Sequence, residues 1–471
     1  MLYTTRPGAR PGMTSFKNLR HLGISLIIVG AMLVHGVRVH AQTPEEAPSG
    51  TTTVFLPLVA SAETGENEAE VIPEVIPGQY IVVFKEEMVL AANASEISAE
   101  MAVQYGGELL YTYDAALQSF AAPFPLGKSA ETVAPPPQDE RVAYVEPDAI
   151  VSISQESKVY QKPPLAAEPV VESASVEEVK SINEVSGIDT VQYSPVWGLD
   201  RNDQRYLPLN GQYIYFKTGT GVRAYIIDTG IRITHSDFAG RASYGYDAVD
   251  GSLPAGDCNG HGTHVAGTVG GKTYGVAKGV RLIAVRVLKC DGSGSISGVI
   301  AGVNWVTNQK RLYPSIPSVA NMSLGGAASS SLDTAVYNSI KAGVTYVVAA
   351  GNANANACNY SPARTAGTIT VGATTSTDTR ASFSNYGGCV DIFAPGVSIK
   401  STWYSSDSAT NTLNGTSMAT PHVTGVVALY LQGSPSATPS TVRTTIFSVA
   451  TAGIVKSAGS GSYNRLVYNP Y

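Results

Sequence analysis

From residue 190 onward, short apolar strands alternate with helical stretches, and this alternation constrains the fold more than any other feature of the sequence. Buried strands separated by helices predict a doubly wound α/β domain, in which helices cover both faces of a mainly parallel sheet. The predicted strands are 222–227, 281–287, 319–323, 345–349 and 368–372, and the predicted helices are 297–311, 332–342 and 417–431. In such a domain the functional site lies beyond the carboxyl ends of the strands.

The first 76 residues divide into two segments that precede the predicted domains. Basic residues, an apolar run at 22–37 and the small-residue site Val39-His40-Ala41 predict a secretory signal peptide at 1–41. A membrane anchor is the alternative, but the apolar run is short for a span and contains His35. Residues 42–76 carry seven Glu and no Lys or Arg, which predicts a disordered acidic segment.

A small α+β domain is predicted at 77–154, ahead of the α/β domain at 190–471. Its candidate elements are strands at 80–84, 109–113, 120–122 and 142–145 and a helix at 94–105. A unit of about 75 residues is only marginally stable by itself. Residues 155–189 are rich in Pro, Ala, Glu and Ser, which predicts a linker between the two domains.

Charge and cysteine content limit the classes of function. The net charge of −6 comes without a basic stripe, which argues against a nucleic-acid partner. All four cysteines lie in the C-terminal half, and an even number in an exported protein indicates two disulfides. Four cysteines allow three pairings, and the composition leaves all three open.

Three polar side chains occupy positions typical of a nucleophilic active site. Asp228 follows an apolar strand, His261 lies between two glycines, and Ser417 begins an apolar helix. A Ser at a helix N-terminus places an attacked carbonyl near free backbone N–H groups and the positive end of the helix dipole. Asn352 follows another strand and can donate a hydrogen bond to an oxyanion. Together, and in the chain order Asp, His, Ser, these residues resemble the catalytic triad and oxyanion donor of a subtilisin-type protease.

The same motifs allow other interpretations. His261 and His264 could bind zinc, but the HExxH spacing is absent, so His264 is predicted to be a buried structural residue. An α/β-hydrolase needs Gly-x-Ser-x-Gly, and Ala419 stands at the last position. A dinucleotide-binding enzyme needs Gly-x-Gly-x-x-Gly, which does not follow the strand at 222–227. The complete triad and Asn352 disfavour a pseudoprotease that acts as a binding or surface protein.

Residues 190–471 resemble the proteinase K branch of the subtilisin-like serine proteases, and within it the aqualysin subgroup. Residues 77–154 are similar to the inhibitory propeptide of that family. The motifs that carry the resemblance are Asp228-Thr229-Gly230, His261-Gly262-Thr263-His264, Gly415-Thr416-Ser417-Met418-Ala419-Thr420-Pro421-His422, Trp197-Gly198-Leu199-Asp200-Arg201 and Asp257-Cys258-Asn259-Gly260, with Gln79-Tyr80-Ile81-Val82 and Val145-Glu146-Pro147-Asp148 in the propeptide.

The resemblance implies a secreted serine endopeptidase that hydrolyses proteins and peptides through an acyl-enzyme. It implies a zymogen that processes itself and whose propeptide is an intramolecular inhibitor. The mature enzyme is expected to be a monomer that binds no nucleic acid and, once the signal peptide is removed, no membrane. The linker at 155–189 is longer than a simple propeptide junction, which leaves the mature N-terminus open.

The resemblance also implies the substrate cleft and the disulfide pairing. The cleft is expected to lie between Gly292-Ser293-Gly294 and Ser323-Leu324-Gly325-Gly326, whose edges pair with an extended peptide. Ala349 and Gly351 are expected to line a roomy S1 pocket with a broad preference for apolar or aromatic P1 side chains. The implied disulfides are Cys258–Cys290 and Cys358–Cys389.

Calcium is the cofactor that the resemblance implies, and no organic cofactor is expected. One candidate site combines Asp391 with the carbonyls of Ala366 and Thr368. A second candidate site is formed by Asp200, Asp203 and Gln204, with Asn210 and Gln212 as further candidates. Surface solubility is the alternative role for these carboxylates.

Overall fold

The structure is a computed structural model that describes residues 71–88, 93–124, 139–153 and 190–471. The predicted signal peptide, the acidic segment up to residue 70 and the linker at 155–189 lie outside the described residues. Within the described ranges, no helix is both long enough and apolar enough to span a membrane.

The small domain combines one helix with an antiparallel sheet. Its elements are β1 (Val75–Phe84), α1 (Ala94–Gln104), β2 (Tyr111–Tyr113), β3 (Ser119–Pro123) and β4 (Val142–Ser152). β1 is central and pairs with β3 and β4, while β2 pairs with β3. The predicted α+β architecture is confirmed, although β4 continues well beyond the strand predicted at 142–145.

The two faces of this sheet bury different cores because side chains alternate along a strand. Val82 of β1 packs with Met101 of α1 in a core within the small domain. Ile81 and Val83 face the other way and join a core that contains residues of the large domain, such as Val299. Apolar contact with the large domain therefore adds to the limited core of the small one.

The large domain contains sixteen strands and six α-helices, numbered on from the small domain. Its strands are β5 (Thr190–Tyr193), β6 (Gln212–Tyr215), β7 (Arg223–Asp228), β8 (Ala242–Asp247), β9 (Arg281–Arg286), β10 (Ser293–Ser295), β11 (Ser318–Met322), β12 (Gly326–Ala327), β13 (Thr345–Ala349), β14 (Tyr360–Ser361), β15 (Ile369–Thr374), β16 (Ile392–Pro395), β17 (Ile399–Thr402), β18 (Thr410–Leu413), β19 (Thr451–Ala452) and β20 (Arg465–Leu466). Its helices are α2 (Trp197–Asn202), α3 (His261–Gly270), α4 (Ile296–Leu312), α5 (Ser330–Lys341), α6 (Thr416–Gly433) and α7 (Pro439–Val449).

The central sheet of the large domain has nine strands in the order β19-β20-β16-β15-β13-β11-β7-β9-β8. Neighbouring strands in this sheet are parallel, except for the edge pair β19–β20. The predicted doubly wound, mainly parallel sheet is confirmed.

Helices cover both faces of this sheet. Ile226 of β7 joins a core that contains residues of α3 and α6. Ile227 points to the opposite face and joins a core that contains residues of α4 and α5. Asp228 ends this central strand at the carboxyl edge, where the functional site of a doubly wound sheet is expected.

Candidate active site

Asp228 and His261 form a buried hydrogen-bonded pair at the carboxyl edge of the sheet. Asp228 is the last residue of β7, and His261 is the first residue of α3. His261 Nδ1 lies 2.7 Å from Asp228 Oδ1, and both side chains are buried. Because a carboxylate oxygen only accepts, Nδ1 carries the hydrogen and Nε2 is the basic nitrogen of the neutral ring.

A network at the start of α3 places His261. A side chain on Gly262 would collide with the carbonyl oxygen of Gly230, so the glycine lets α3 approach the end of β7. Gly262 N donates to Thr229 Oγ1 over 2.9 Å, and Thr229 Oγ1 donates to Asp257 Oδ1 over 2.9 Å. The helix that carries His261 is therefore tied to β7 through side chains as well as through packing.

Asp257 is a positioning residue that the sequence reasoning missed. Its carboxylate accepts hydrogen bonds of 2.8 to 2.9 Å from three backbone N–H groups around the start of α3, those of Asn259, Gly260 and Thr263. Burial raises the pKa of Asp257, and these bonds oppose that rise. An Asp shortly before a helix is a capping pattern, and this signal could have identified it.

Ser417 lies at the same edge of the sheet as Asp228. It is the second residue of α6, which packs against α3. Ser417 Oγ donates to Ser323 O over 3.2 Å, and Ser323 Oγ donates to Ser417 O over 2.9 Å. Ser323 follows β11, which pairs with β7 so that Met322 lies opposite Ile227. The residue that contacts Ser417 is therefore level with Asp228 on the neighbouring strand.

Asn352 lies beside the start of α6 with its amide oriented by two hydrogen bonds. Its Oδ1 accepts from the backbone N–H and from Oγ1 of Thr416, at 2.9 and 2.8 Å. A Cβ placed on Gly415, whose φ is 150°, would lie 3.3 Å from Asn352 Nδ2 and 3.5 Å from Ser417 N. These two N–H donors therefore border the same small space, as an oxyanion site requires.

His264 and His422 are structural residues on the inner faces of α3 and α6. His264 Nε2 donates to Ile399 O over 3.0 Å, and burial lowers its pKa to about 3. His422 Nδ1 donates to Met418 O over 2.9 Å, and burial lowers its pKa to about 4. The structural role predicted for His264 is confirmed. Across the described part of the chain, no group of three or more His, Cys, Asp or Glu could hold a metal ion.

A cleft of about 680 Å³ opens beside Asn352. The predicted substrate residues that line it are Gly292, Ser293, Gly325, Gly326, Ala349 and Gly351. The other three lie close to that lining: Gly294 belongs to β10, Ser323 contacts Ser417, and Leu324 is fully buried next to Gly325.

Strand β4 of the small domain lies between the two predicted edges of this cleft. It pairs antiparallel with β10 on one side. On the other side, Ser152 and Gly325 exchange two backbone hydrogen bonds of 3.0 Å each. Ile153 N then donates to Gly292 O over 3.0 Å. Both edges therefore hold an extended chain as an added strand.

The four cysteines form the two predicted disulfides. Cys258 is bonded to Cys290, and Cys358 is bonded to Cys389. The first bond joins the loop before α3 to the loop before β10. It therefore links the segment that carries His261 to one edge of the cleft, and a crosslink of this kind stabilises the fold.

The predicted calcium ligands Asp200, Asp203 and Gln204 offer oxygen atoms for a cation. Asp203 Oδ1 and Gln204 Oε1 are buried without a hydrogen-bond partner among the described residues. The carboxylate of Asp200 accepts from the N–H groups of Asn210 and Gly211, at 3.2 and 2.9 Å. Burial, with a smaller contribution from Asp200, raises the pKa of Asp203 to about 6. Unpartnered oxygens beside a second carboxylate fit a hard cation such as Ca²⁺.

The other predicted calcium site does not fit a metal ion. Arg443 Nη2 donates to Asp391 Oδ1 over 2.5 Å, and Arg443 Nε donates to Thr368 O over 3.0 Å. A guanidinium therefore bonds to two of the three residues assigned to calcium, of which Ala366 is the third. The sequence reasoning missed Arg443 because it lies on α7, 52 residues after Asp391.

Comparison with known proteins places the chain in a family. The model of the Subtilase family matches residues 219–466. The extracellular serine proteinase of Thermus sp. (strain Rt41A) is 50% identical over 416 residues, which cover 85% of this chain and 91% of that protein. Alkaline serine exoprotease A of Vibrio alginolyticus is 47% identical over 401 residues, which cover 84% of this chain and 68% of that protein.

Solved structures give the same relationship. A cold adapted subtilisin-like serine proteinase is 53% identical, with a TM-score of 0.57, and the match covers 59% of this chain and 99% of that chain. The aligned part has the length expected of the large domain alone. The chain therefore belongs to the subtilase family and is a secreted serine endopeptidase.

Proposed function

We propose that Asp228, His261 and Ser417 are the catalytic triad of this endopeptidase. The observation that carries the proposal is the buried 2.7 Å contact between His261 Nδ1 and Asp228 Oδ1. The neighbouring strand β11 leads to Ser323, whose carbonyl contacts Ser417 Oγ. A base and a nucleophile at one edge of the sheet can together cleave a peptide bond.

Hydrolysis proceeds in two halves at this site. The hydroxyl of Ser417 turns from Ser323 O toward His261, and Nε2 accepts its proton as Oγ attacks the carbonyl carbon. Asp228 holds the ring with Nδ1–H toward Oδ1 and stabilises the imidazolium. His261 then protonates the leaving amine, and water activated by the same ring releases the acyl group from Ser417.

The negative charge that develops on the attacked oxygen is stabilised by two donors, Asn352 Nδ2 and the backbone N–H of Ser417. Both border the space next to Gly415. The hydrogen bonds from Thr416 to Asn352 Oδ1 hold the amide in place before substrate binds. Each such donor lowers the barrier by about 3 kcal/mol because it needs no reorganisation during the reaction.

The small domain is proposed to be the propeptide, which inhibits the enzyme until it is cleaved. β4 occupies both edges of the cleft, so a substrate strand cannot enter while it is bound. Two acidic residues of β4 reinforce this contact. Glu146 accepts from Ser329 Oγ and Ser331 N at the start of α5, at 2.5 and 2.9 Å, and Asp148 accepts from Ser297 N at the start of α4, at 3.0 Å.

These carboxylates suit a role in folding as well as in inhibition. A negative charge at a helix N-terminus satisfies free N–H groups and interacts favourably with the helix dipole. Glu146 and Asp148 each bind the first turn of a helix that covers the same face of the sheet. The propeptide is therefore expected to help α4 and α5 pack before it leaves.

Antiparallel pairing predicts which peptide bond meets Ser417. Each step forward along one strand is a step backward along its antiparallel partner. Ser152 pairs with Gly325, so we expect a substrate residue two positions further along to be the one that reaches Ser323. The carbonyl of Ser323 contacts Ser417 Oγ. We therefore expect cleavage after Ser154.

The purified wild-type precursor, allowed to fold, is expected to release a first product that begins at Gln155. N-terminal sequencing of the earliest product measures this, and a rate independent of protein concentration indicates cleavage within one chain. The Ser417→Ala precursor is the matched control and should keep its full length. A first cut at another bond, or processing of that variant at the wild-type rate, would contradict the proposal.

The S1 pocket is expected to accept apolar or aromatic side chains. Small apolar residues line this part of the cleft, namely Ala349, Ala350, Gly351, Ala353 and Ala363. Their size leaves room for a large side chain, and their surface favours burial of an apolar one. A panel of peptides that was cleaved best after Lys or Arg would rule out this preference.

The cluster of Asp200, Asp203 and Gln204 is proposed to bind a structural calcium ion. Calcium would give Asp203 Oδ1 and Gln204 Oε1 the partner that they lack among the described residues. A ligand that binds only the folded state stabilises it, so calcium is expected to raise the melting temperature of the mature enzyme.

Chelation is expected to lower the Tm of the wild type by about 5 °C. This is the shift expected when calcium, present at a free concentration of about 100 times its Kd, is removed. Asp203→Asn should remove most of this response. Differential scanning calorimetry measures the Tm of each variant with and without chelator, and prior inactivation by a fluorophosphonate prevents autolysis. The matched control is Asp407→Asn, which changes an exposed carboxylate. An equal response to chelator in wild type and Asp203→Asn would show that calcium does not bind here.

A further inference from the structure

Asp391 is a buried carboxylate whose oxygens both have partners. It is 5% exposed and lies directly before β16. Its Oδ2 accepts from Thr370 N over 3.0 Å, and its Oδ1 accepts from Arg443 Nη2 over 2.5 Å. Arg443 also donates through Nε to Thr368 O over 3.0 Å. One guanidinium thus joins the segments that lead into the neighbouring strands β15 and β16.

Arg443 is held in this position by its own helix. The first turn of α7 is capped by Thr438 Oγ1, and Val442 and Ile446 anchor the helix in the core. The guanidinium lies 4.7 Å from the ring centroid of Phe447, one helical turn further along. Stacking of this kind orients the planar group before it binds its oxygens.

The charges around Asp391 leave no place for a divalent ion. Arg465 Nη1 donates to the backbone carbonyl of Asp391 over 3.5 Å, so a second guanidinium lies close to the residue whose carboxylate binds Arg443. Ca²⁺ needs six to eight oxygen ligands at roughly 2.3–2.6 Å, and here Arg443 uses Oδ1 and the carbonyl of Thr368. A calcium ion at this point would also be repelled by both cations.

We propose that Arg443 takes the place of a calcium ion at this site. Its guanidinium supplies the positive charge that the buried Asp391 needs, and its fork ties α7 to the starts of β15 and β16. Because the guanidinium is covalently part of the chain, it cannot dissociate on dilution or be removed by a chelator. This part of the domain is therefore stabilised without metal.

Isothermal titration with calcium chloride tests the proposal on mature enzyme inactivated by a fluorophosphonate. Arg443→Ala should bind one more calcium ion per chain than the wild type, because it frees Asp391 Oδ1 and Thr368 O. The double variant Asp391→Asn, Arg443→Ala should lose that extra ion. Arg443→Lys, which keeps the positive charge, should bind the same number as the wild type.

Two results would overturn the proposal. One is an Arg443→Ala enzyme that folds, as judged by circular dichroism, and binds no additional calcium. The other is loss of one calcium ion on Asp391→Asn alone, since that would place an ion beside Arg443 in the wild type. The test with Asp391→Asn does not depend on whether Arg443→Ala folds.

In thermal scans, calcium should raise the Tm of Arg443→Ala by about 5 °C more than that of the wild type.

Discussion

Replacement of Ser417 by alanine is expected to lower kcat for peptide hydrolysis by about 10⁶-fold, because no other group can form the acyl-enzyme. The fold should persist, since Ser417 Oγ contributes a hydrogen bond to Ser323 O and alanine favours the helix that carries it. Hydrolysis of a peptide with an aromatic P1 residue measures the loss.

The propeptide must be removed from this variant before the assay, or inhibition would be mistaken for loss of chemistry. A trace of wild-type enzyme can digest the Ser417→Ala precursor in trans and can then be inactivated with a fluorophosphonate. Ser434→Ala, at the half-buried residue that follows the last residue of α6, is the matched control and should keep full activity. Residual activity of Ser417→Ala within a hundredfold of the wild type would exclude Ser417 as the nucleophile.

Asp228→Asn is expected to lower kcat by about 10⁴-fold while substrate binding stays nearly unchanged. The asparagine can present its NH₂ group to His261 Nδ1, which would place the ring hydrogen on Nε2, where the base must be free. The bonded pair is buried at 2.7 Å, so water cannot easily restore the correct tautomer.

Steady-state kinetics on enzyme processed in trans separates the two effects, with kcat reporting the chemistry and KM the cleft. Asp407→Asn is the matched control, because Asp407 is exposed and its carboxylate pairs with Arg232 rather than with a triad residue. A kcat for Asp228→Asn close to that of the wild type would show that this carboxylate does not orient the catalytic histidine.

Local sequence patterns predicted the elements that carry a regular apolar or helical pattern in their own residues. β13 has the predicted bounds, and α4, α5 and α6 differ from the predictions by at most two residues at either end. β8 and β16 were not identified, because the first contains Gly245 and the second is four residues long and ends in Pro395. The pairing of these two strands with β9 and β15 is not visible in their own residues.

In the active site, too, some residues could be predicted from their immediate neighbours and others could not. Asp228, His261 and Ser417 stand in short motifs, so each could be proposed from its immediate neighbours. The length of β4 could not, because the partners of residues up to Ser152 are β10 and Gly325 in the other domain. Arg443 was missed for a similar reason, since only the packing of α7 brings it to Asp391. Contacts between distant segments decide what local patterns leave open.

Labelling of the mature enzyme with a fluorophosphonate, followed by peptide mass mapping, tests the central claim most directly. The reagent bonds to a serine only when a neighbouring base and oxyanion donors activate it. The account predicts one label per chain, on the peptide that contains Ser417, with labelling strongly slowed in Asp228→Asn. No label on Ser417 in correctly folded, mature protein, or a label on a different serine, would contradict it.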